Sequence, residues 1–292
     1  MIPGTSADKT SSKLTAGEII TKVNGENVTN KINFYSLLSE TAGEKVILSV
    51  LHNSGKEREV ILRPQASITD DLYDEWVDNR KKLVDSYSNG KLGYIHIRSM
   101  DFASFEVVER EFTAAGYGKN GLIIDVRYNG GGSTADYLMT ILNYKQHAYT
   151  IPRGAAKDLE KEKKNFRAYY PIGERLVYAA WTKPSIALCN EGSYSNAEIF
   201  SHAYKGLGIG KLVGVPTNGS VISTGGQGLM DGSFVRLPFR GWFNKVNDKN
   251  QELGAAIPDI IVQNRPDWIS KNTDDQLKKA VDELLKDINT KN

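Results

Sequence analysis

The residues best suited to chemistry lie in one run, Asn190-Glu191-Gly192-Ser193-Tyr194-Ser195-Asn196-Ala197-Glu198-Ile199-Phe200-Ser201. It follows Pro184-Ser185-Ile186-Ala187-Leu188-Cys189, a short apolar stretch of the kind a buried strand needs. It precedes Ile199 to Leu207, whose spacing predicts a helix ended by glycines. Ser195 therefore falls where a strand turns into a helix. A hydroxyl there is exposed at a strand end, and the unbonded N–H groups of the first helical turn face whatever it attacks. The same residues admit a purely structural reading. Ser195-x-x-Glu198 is a capping box, in which the serine only satisfies orphan amides.

A nucleophile needs a scaffold, and the surrounding sequence predicts one. From residue 91 to about 264, strand-like and helix-like segments alternate, which predicts a mainly parallel sheet with helices on its faces. Gly93 to Ile97 and Gly121 to Val126 read as strands, and Phe102 to Ala115 reads as a helix. The second strand runs into Arg127-Tyr128-Asn129-Gly130-Gly131-Gly132, with a further helix from Ser133-Thr134 through Asn143. Three glycines between strand and helix permit positive φ and close approach of a ligand to the backbone, and they turn N–H groups toward negative charge. A phosphate loop lacks its lysine and its serine or threonine here. An arm of an oxyanion hole and a plain glycine turn remain.

A base for Ser195 is harder to find. Ser201-His202 lies seven residues on, about 10 Å of helical rise and out of hydrogen-bond reach, and Lys205 is farther at roughly 15 Å. His96 falls within a strand, His52 on an early hairpin, and His147 in a loop with nothing beside it to support a role.

Composition limits the alternatives. The chain has 292 residues, 40% hydrophobic and 25% charged, enough to build one large core or two smaller ones. A formal net charge of +2 argues for neither nucleic acid nor a membrane surface. A single cysteine, Cys189, excludes an internal disulfide and reads as a core thiol. No apolar run is long enough to span a bilayer as a helix. No cofactor-binding or metal-binding motif stands out.

The first sixty residues resemble a PDZ domain. Ala16-Gly17-Glu18-Ile19-Ile20 and Val23-Asn24-Gly25 carry the likeness, followed by helical spacing over Ile32 to Leu38 and a hairpin, Val46–Leu51 and Glu57–Leu62, around Asn53-Ser54-Gly55. The glycine loop and strand with which such domains hold a peptide carboxylate have no counterpart before Ile2-Pro3-Gly4. The expectation is a chain that is the C-terminal fragment of a longer protein. An amphipathic helix over Asp70 to Tyr87 leads into the core, and another over Asp274 to Ile288 closes it. Lys157 to Arg167 reads as a solvated helix or a lid. Leu229 to Val235 reads as a hairpin or strand pair, and Gly241-Trp242-Phe243 as core or cleft lining.

The core motifs, in order, resemble the C-terminal processing (tail-specific) serine peptidases. They are Gly93-Tyr94-Ile95-His96-Ile97, Ile124 to Gly132, Asn190 to Phe200, and Leu212-Val213-Gly214-Val215-Pro216-Thr217-Asn218-Gly219. In the processing branch a lysine directly follows the last run, but here Ser220 stands there. The sequence is instead similar to the tricorn branch, through Tyr73 to Val77, Val84-Asp85, Ser88 to Gly90, Asp231-Gly232-Ser233, Trp242-Phe243, Gln251 to Gly254 and Pro258-Asp259. The resemblance implies Ser195 as nucleophile. It implies the Asn196 N–H as one oxyanion donor, a glycine N–H of Gly130-Gly131 as the other, and Glu252 as the acid that orients the base through a serine. The tricorn base is a histidine after a serine, upstream of the PDZ-like part, and this chain has no such upstream pair.

The resulting expectation is an α/β protein in two domains. Residues 1–66 form an N-terminally truncated, β-rich PDZ-like part, and residues 67–292 form a ClpP/crotonase-like α/β-α peptidase core. Its substrate would be a peptide or unfolded protein, without cofactor, metal, nucleic acid or membrane span. The remaining expected partners are the absent N-terminal region and a second copy in a homo-oligomer. The compartment stays open between bacterial cytoplasm and periplasm. A non-catalytic peptide-binding module and a crotonase-like enzyme acting on acyl thioesters are the competing readings.

Overall fold

The structure, a computed structural model, describes residues 2–170 and 172–291. The chain divides into two compact units, Met1–Asn79 and Arg80–Asn292, with the division inside the first long helix.

The N-terminal unit is built on an antiparallel sheet of β1 (Ile19–Val23), β2 (Glu26–Asn27), β3 (Val46–Leu51) and β4 (Glu57–Leu62), in the order β2-β1-β3-β4. Asn24 and Gly25 take φ of 49° and 87°, the left-handed pair that lets a two-residue turn follow the twist of its strands. Val46, Leu48 and Val50 alternate inward on β3 and meet Val23 and Val60 in a small core. The helical spacing over residues 32–38 yields only a five-residue 3-10 turn, Phe34–Leu38. Asn33 accepts the Tyr35 N–H at its start, and the Ser39 N–H returns to Ser36 at its end. That leaves no length for an α-helix.

α1 (Thr69–Ser88) leads into the second unit. There follow β5 (Leu92–His96), α2 (Phe102–Ala114), β6 (Gly121–Asp125), α3 (Ala135–Leu142), the short α4 (Leu159–Glu162) and α5 (Ile172–Arg175), and β7 (Ser185–Cys189). The chain continues through α6 (Asn196–Gly206), β8 (Leu212–Gly214), β9 (Ser223–Gly228), β10 (Phe234–Arg240), β11 (Ile260–Ile261) and α7 (Asp275–Lys291). The main sheet runs β11-β8-β7-β6-β5, every pair parallel. Every residue of β6 and β7 is buried, as strands covered on both faces require. Leu122, Ile124 and Ala187 pack with α2, α3 and α6. A side chain at Gly121 would meet Ile288 and Leu284 of α7 at 3.1 Å, so the other face lies beneath the closing helix.

The charged stretch over 157–167 is α4 and a 3-10 turn with no buried residue. The hairpin expected at 229–235 is larger than its sequence signal. Leu229 to Ser233 is only its turn, closed by the Leu229 N–H on the Ser233 carbonyl, and the strands are β9 and β10. Every residue of β10 is exposed.

Candidate active site

Three loops leave the carboxyl ends of three neighbouring strands, β6, β7 and β8, and side-chain amides and carboxylates bind them to one another. In open parallel sheets this edge is where ligands bind.

The β6 loop is anchored first. Arg127 and Asp125 are fully buried and form an ion pair at 2.6 Å. Arg127 also reaches Asp274 at 3.0 Å and Gln276 at 3.0 Å, at the start of α7. Arg80 adds a second buried guanidinium, 3.7 Å from Asp274 and stacked on Trp268. Two cations and two anions balance, which is what lets four charges sit buried together. Burial alone would raise the Asp125 carboxyl, but the charge and hydrogen bonds of Arg127 outweigh it and hold the group below its ordinary range. His96 belongs to this scaffold. Its Nε2 donates to the Arg127 carbonyl at 2.9 Å, and burial lowers its pKa.

Beyond Arg127 the backbone turns sharply. Tyr128 has φ of 61°. Buried Asn129 donates to Ile97 O at 2.7 Å and accepts the Gly131 N–H at 2.8 Å. The Gly131 N–H is therefore occupied within the turn, and of the two glycines expected to supply a donor only Gly130 has an N–H without an acceptor among the described residues. Gly131 has a different duty. Its φ is 90°, and a Cβ there would lie 2.6 Å from Ser195 Cβ and 3.0 Å from Asn196 N. The glycine turn thus passes directly against the serine, and any side chain at this position would displace it.

The β7 loop is tied to the same turn. Asn190 Oδ1 accepts the N–H groups of Tyr128 at 3.0 Å and Gly192 at 3.1 Å. The Tyr194 N–H donates to Asn129 O at 2.9 Å. Ser195 sits at the N-cap with φ 55° and ψ −117°, a conformation that L residues avoid and that costs on the order of 1–3 kcal/mol. α6 begins at Asn196, one turn earlier than the sequence spacing predicts, because Glu198 accepts the Ser195 N–H at 3.1 Å and fixes the first turn. Of the capping box, this carboxylate half is well formed. The Glu198 N–H donates to the Ser195 carbonyl at 2.9 Å, and the Ser195 hydroxyl lies by it without a capping hydrogen bond. The Asn196 side chain accepts the Ala135 N–H at 2.9 Å and so caps α3, while its own N–H has no acceptor among the described residues.

Glu198 is fully buried and also gathers the β8 loop. It accepts the Thr217 hydroxyl at 2.7 Å, the Gly219 N–H, and the Ser220 N–H at 2.9 Å. Glu252 lies on the next segment. It accepts the N–H groups of Val221 and Ile222, each at 2.7 Å, and the Leu253 N–H donates to Gly219 O at 2.8 Å.

Each histidine of this unit, and Lys205, is engaged away from Ser195. His202 Nε2 donates to Gly254 O at 3.0 Å, His147 stacks edge-on against Tyr170, and Lys205 pairs with Asp259 at 2.8 Å. Cys189 is buried and burial raises its thiol pKa, as a core thiol should show. Among the described residues no cluster of side chains could hold a metal ion, and no helix is long and apolar enough to cross a membrane.

The sequence profile of Peptidase family S41 matches residues 91–262, which include all of these loops. The chain belongs to peptidase family S41. The Tricorn protease PDZ domain profile matches residues 8–67 of this S41 chain. Tricorn protease of Thermoplasma acidophilum is 31% identical over 257 residues, covering 86% of this chain and 22% of that protein. Tricorn protease homolog 1 of Streptomyces coelicolor is 30% identical over 253 residues, with 86% and 22% covered. The crystal structure of the tricorn protease superposes with a TM-score of 0.74 at 27% identity, covering 94% of this chain and 25% of that one. The S41 chain is tricorn-like in both parts and spans about a fifth to a quarter of the length of these relatives.

Sequence reasoning gave Glu198 only a capping role and missed Asn129 and Asn190 altogether. The Glu198 signal was present, since a glutamate at the third helical position can reach back to the cap. The asparagines act through tertiary hydrogen bonds that no spacing rule exposes.

Proposed function

We propose that this chain carries the nucleophile and oxyanion hole of a serine peptidase, acting on peptides or unfolded proteins. Ser195 Oγ attacks the scissile carbonyl carbon, and the carbonyl oxygen gains negative charge between the N–H groups of Gly130 and Asn196. The Ser195 proton passes to the base and from it to the amine as collapse expels it, leaving an acyl-serine that water hydrolyses to an acid and free Ser195. Each oxyanion donor is worth about a hundred- to a thousand-fold in rate. Glu252 serves as the acid that orients the base.

The observation that carries this reading is the contact of Gly131 with Ser195. A Cβ at Gly131 would lie 2.6 Å from Ser195 Cβ and 3.0 Å from Asn196 N, so the glycine turn and the serine turn are neighbours, and among the described residues neither the Gly130 nor the Asn196 N–H has an acceptor. The base is supplied from outside these 292 residues, by an upstream Ser-His pair of the tricorn type. The engagement of His96, His147 and His202 elsewhere supports this assignment.

A fluorophosphonate is the direct test. Purified chain should be labelled on Ser195, slowly, with the label lost in Ser195→Ala and peptide turnover near background. Labelling elsewhere overturns the nucleophile assignment. Full turnover by the chain alone overturns the external base.

A further inference from the structure

We infer that Tyr128 is a specificity-determining residue, whose ring forms a wall for an apolar or aromatic side chain beside the scissile bond. This rests on the assignment of Ser195 as nucleophile.

Three observations converge on it. Tyr128 is left-handed at φ 61°, a conformation that a bulky residue avoids and that asparagine or glycine would adopt more easily. The strain does not serve burial. Tyr128 is 54% exposed, while its neighbours Arg127 and Asn129 are both at 0%. The conformation is also enforced from outside, because Asn190 Oδ1 takes the Tyr128 N–H, and Gly192 leaves the space that the tyrosine fills. A Cβ at Gly192 would lie 2.9 Å from Tyr128 Cδ1 and 3.1 Å from its Cα.

The ring lies with its Cδ1 against Gly192. It stands between the turn bearing Gly130, two residues ahead, and the turn bearing Ser195, three residues past Gly192. A peptide whose carbonyl oxygen enters the oxyanion hole must lay neighbouring atoms along that junction. The half-exposed ring offers an apolar face there, on a backbone held by the Asn190 side chain. Strained, over-determined residues of this kind gather at functional sites.

The test compares peptidyl diphenylphosphonates that differ only in the residue at the phosphorus, phenylalanine against glycine, with labelling of Ser195 followed by intact mass. The ratio of the two rates should be about ten in the native chain, the size of one good aromatic contact with its buried area. It should persist in Tyr128→Phe and fall close to one in Tyr128→Gly, which suits the left-handed backbone and keeps the fold. A purely structural role moves both rates together and leaves the ratio unchanged, and that result overturns the inference. So does a native preference for a lysyl phosphonate over the phenylalanyl one. Failure of a small fluorophosphonate to label native Ser195 overturns the nucleophile assignment itself, and this inference with it.

Discussion

Glu198 holds the backbone of Ser195. One carboxylate oxygen accepts the Ser195 N–H at 3.1 Å, while the other accepts the Thr217 hydroxyl at 2.7 Å. A buried carboxylate satisfied by four donors has no room for an amide. Glu198→Gln would turn an NH2 group toward two of those donors. The expected cost is about 2–4 kcal/mol in denaturant unfolding, from buried donors left unpaired. Fluorophosphonate labelling of Ser195 should fall with it, because the turn that aims the hydroxyl is released.

Ser195 itself carries backbone strain at φ 55°. Ser195→Gly relieves it and Ser195→Ala does not. The glycine variant should therefore be the more stable of the two by about 1–2 kcal/mol, after allowance for the greater freedom of its unfolded chain. Both variants are inert to fluorophosphonate. Equal thermal midpoints would show that the serine is not strained.

The Arg127 cluster makes a prediction through its charge balance. Arg127→Met leaves Asp125 and Asp274 with one guanidinium between them and should cost about 3–5 kcal/mol. The double variant Asp125→Asn, Arg127→Met restores one cation to one anion and should unfold at a higher denaturant concentration than the single one. A double-mutant cycle on the four proteins measures the coupling.

Stability should fall with acid in two stages. His96 and His202 have pKa values lowered by burial, so their neutral forms stabilise the fold above about pH 6.5, and that contribution is lost as pH falls below it. Asp125 is held down by Arg127, against its burial, and Glu283 is held down to about 2, first by hydrogen bonds from Lys279 and Lys211. Their contribution is present above about pH 4.5 and lost as pH drops toward 2. Unfolding free energy measured from pH 8 to pH 3 should hold level down to about pH 6.5, decline below it, and fall more steeply below pH 4.5. A stability maximum below pH 5 would contradict these assignments.

The parallel sheet was legible because β5, β6 and β7 are short, mainly apolar runs, and Gly130 to Gly132 announced the turn after β6. The serine was legible from its place between strand and helix. The division of labour inside the glycine turn was not, because only the Asn129 side chain decides that Gly131 is occupied and Gly130 is open. For the start of α6, spacing and capping disagreed. The apolar spacing begins only at Ile199, whereas the capping box Ser195-x-x-Glu198 points to a start at Asn196, and the reach of Glu198 back to Ser195 fixes it there. The extent of the β9–β10 hairpin escaped notice because Ser223 to Gly228 is rich in glycine and lacks the branched and aromatic residues that mark a strand.

The bond between Arg127 and Asp274 joins residues 147 positions apart. The sheet strands pair in the order in which a ribosome would deliver them, β5 through β8 and then β11, so the framework can grow by simple addition. The lock on the Arg127 loop arrives last, with α7. A nascent chain halted before Asp274 would carry the glycine turn after β6 without that anchor, and the turn would be fixed against Ser195 only once α7 has been made.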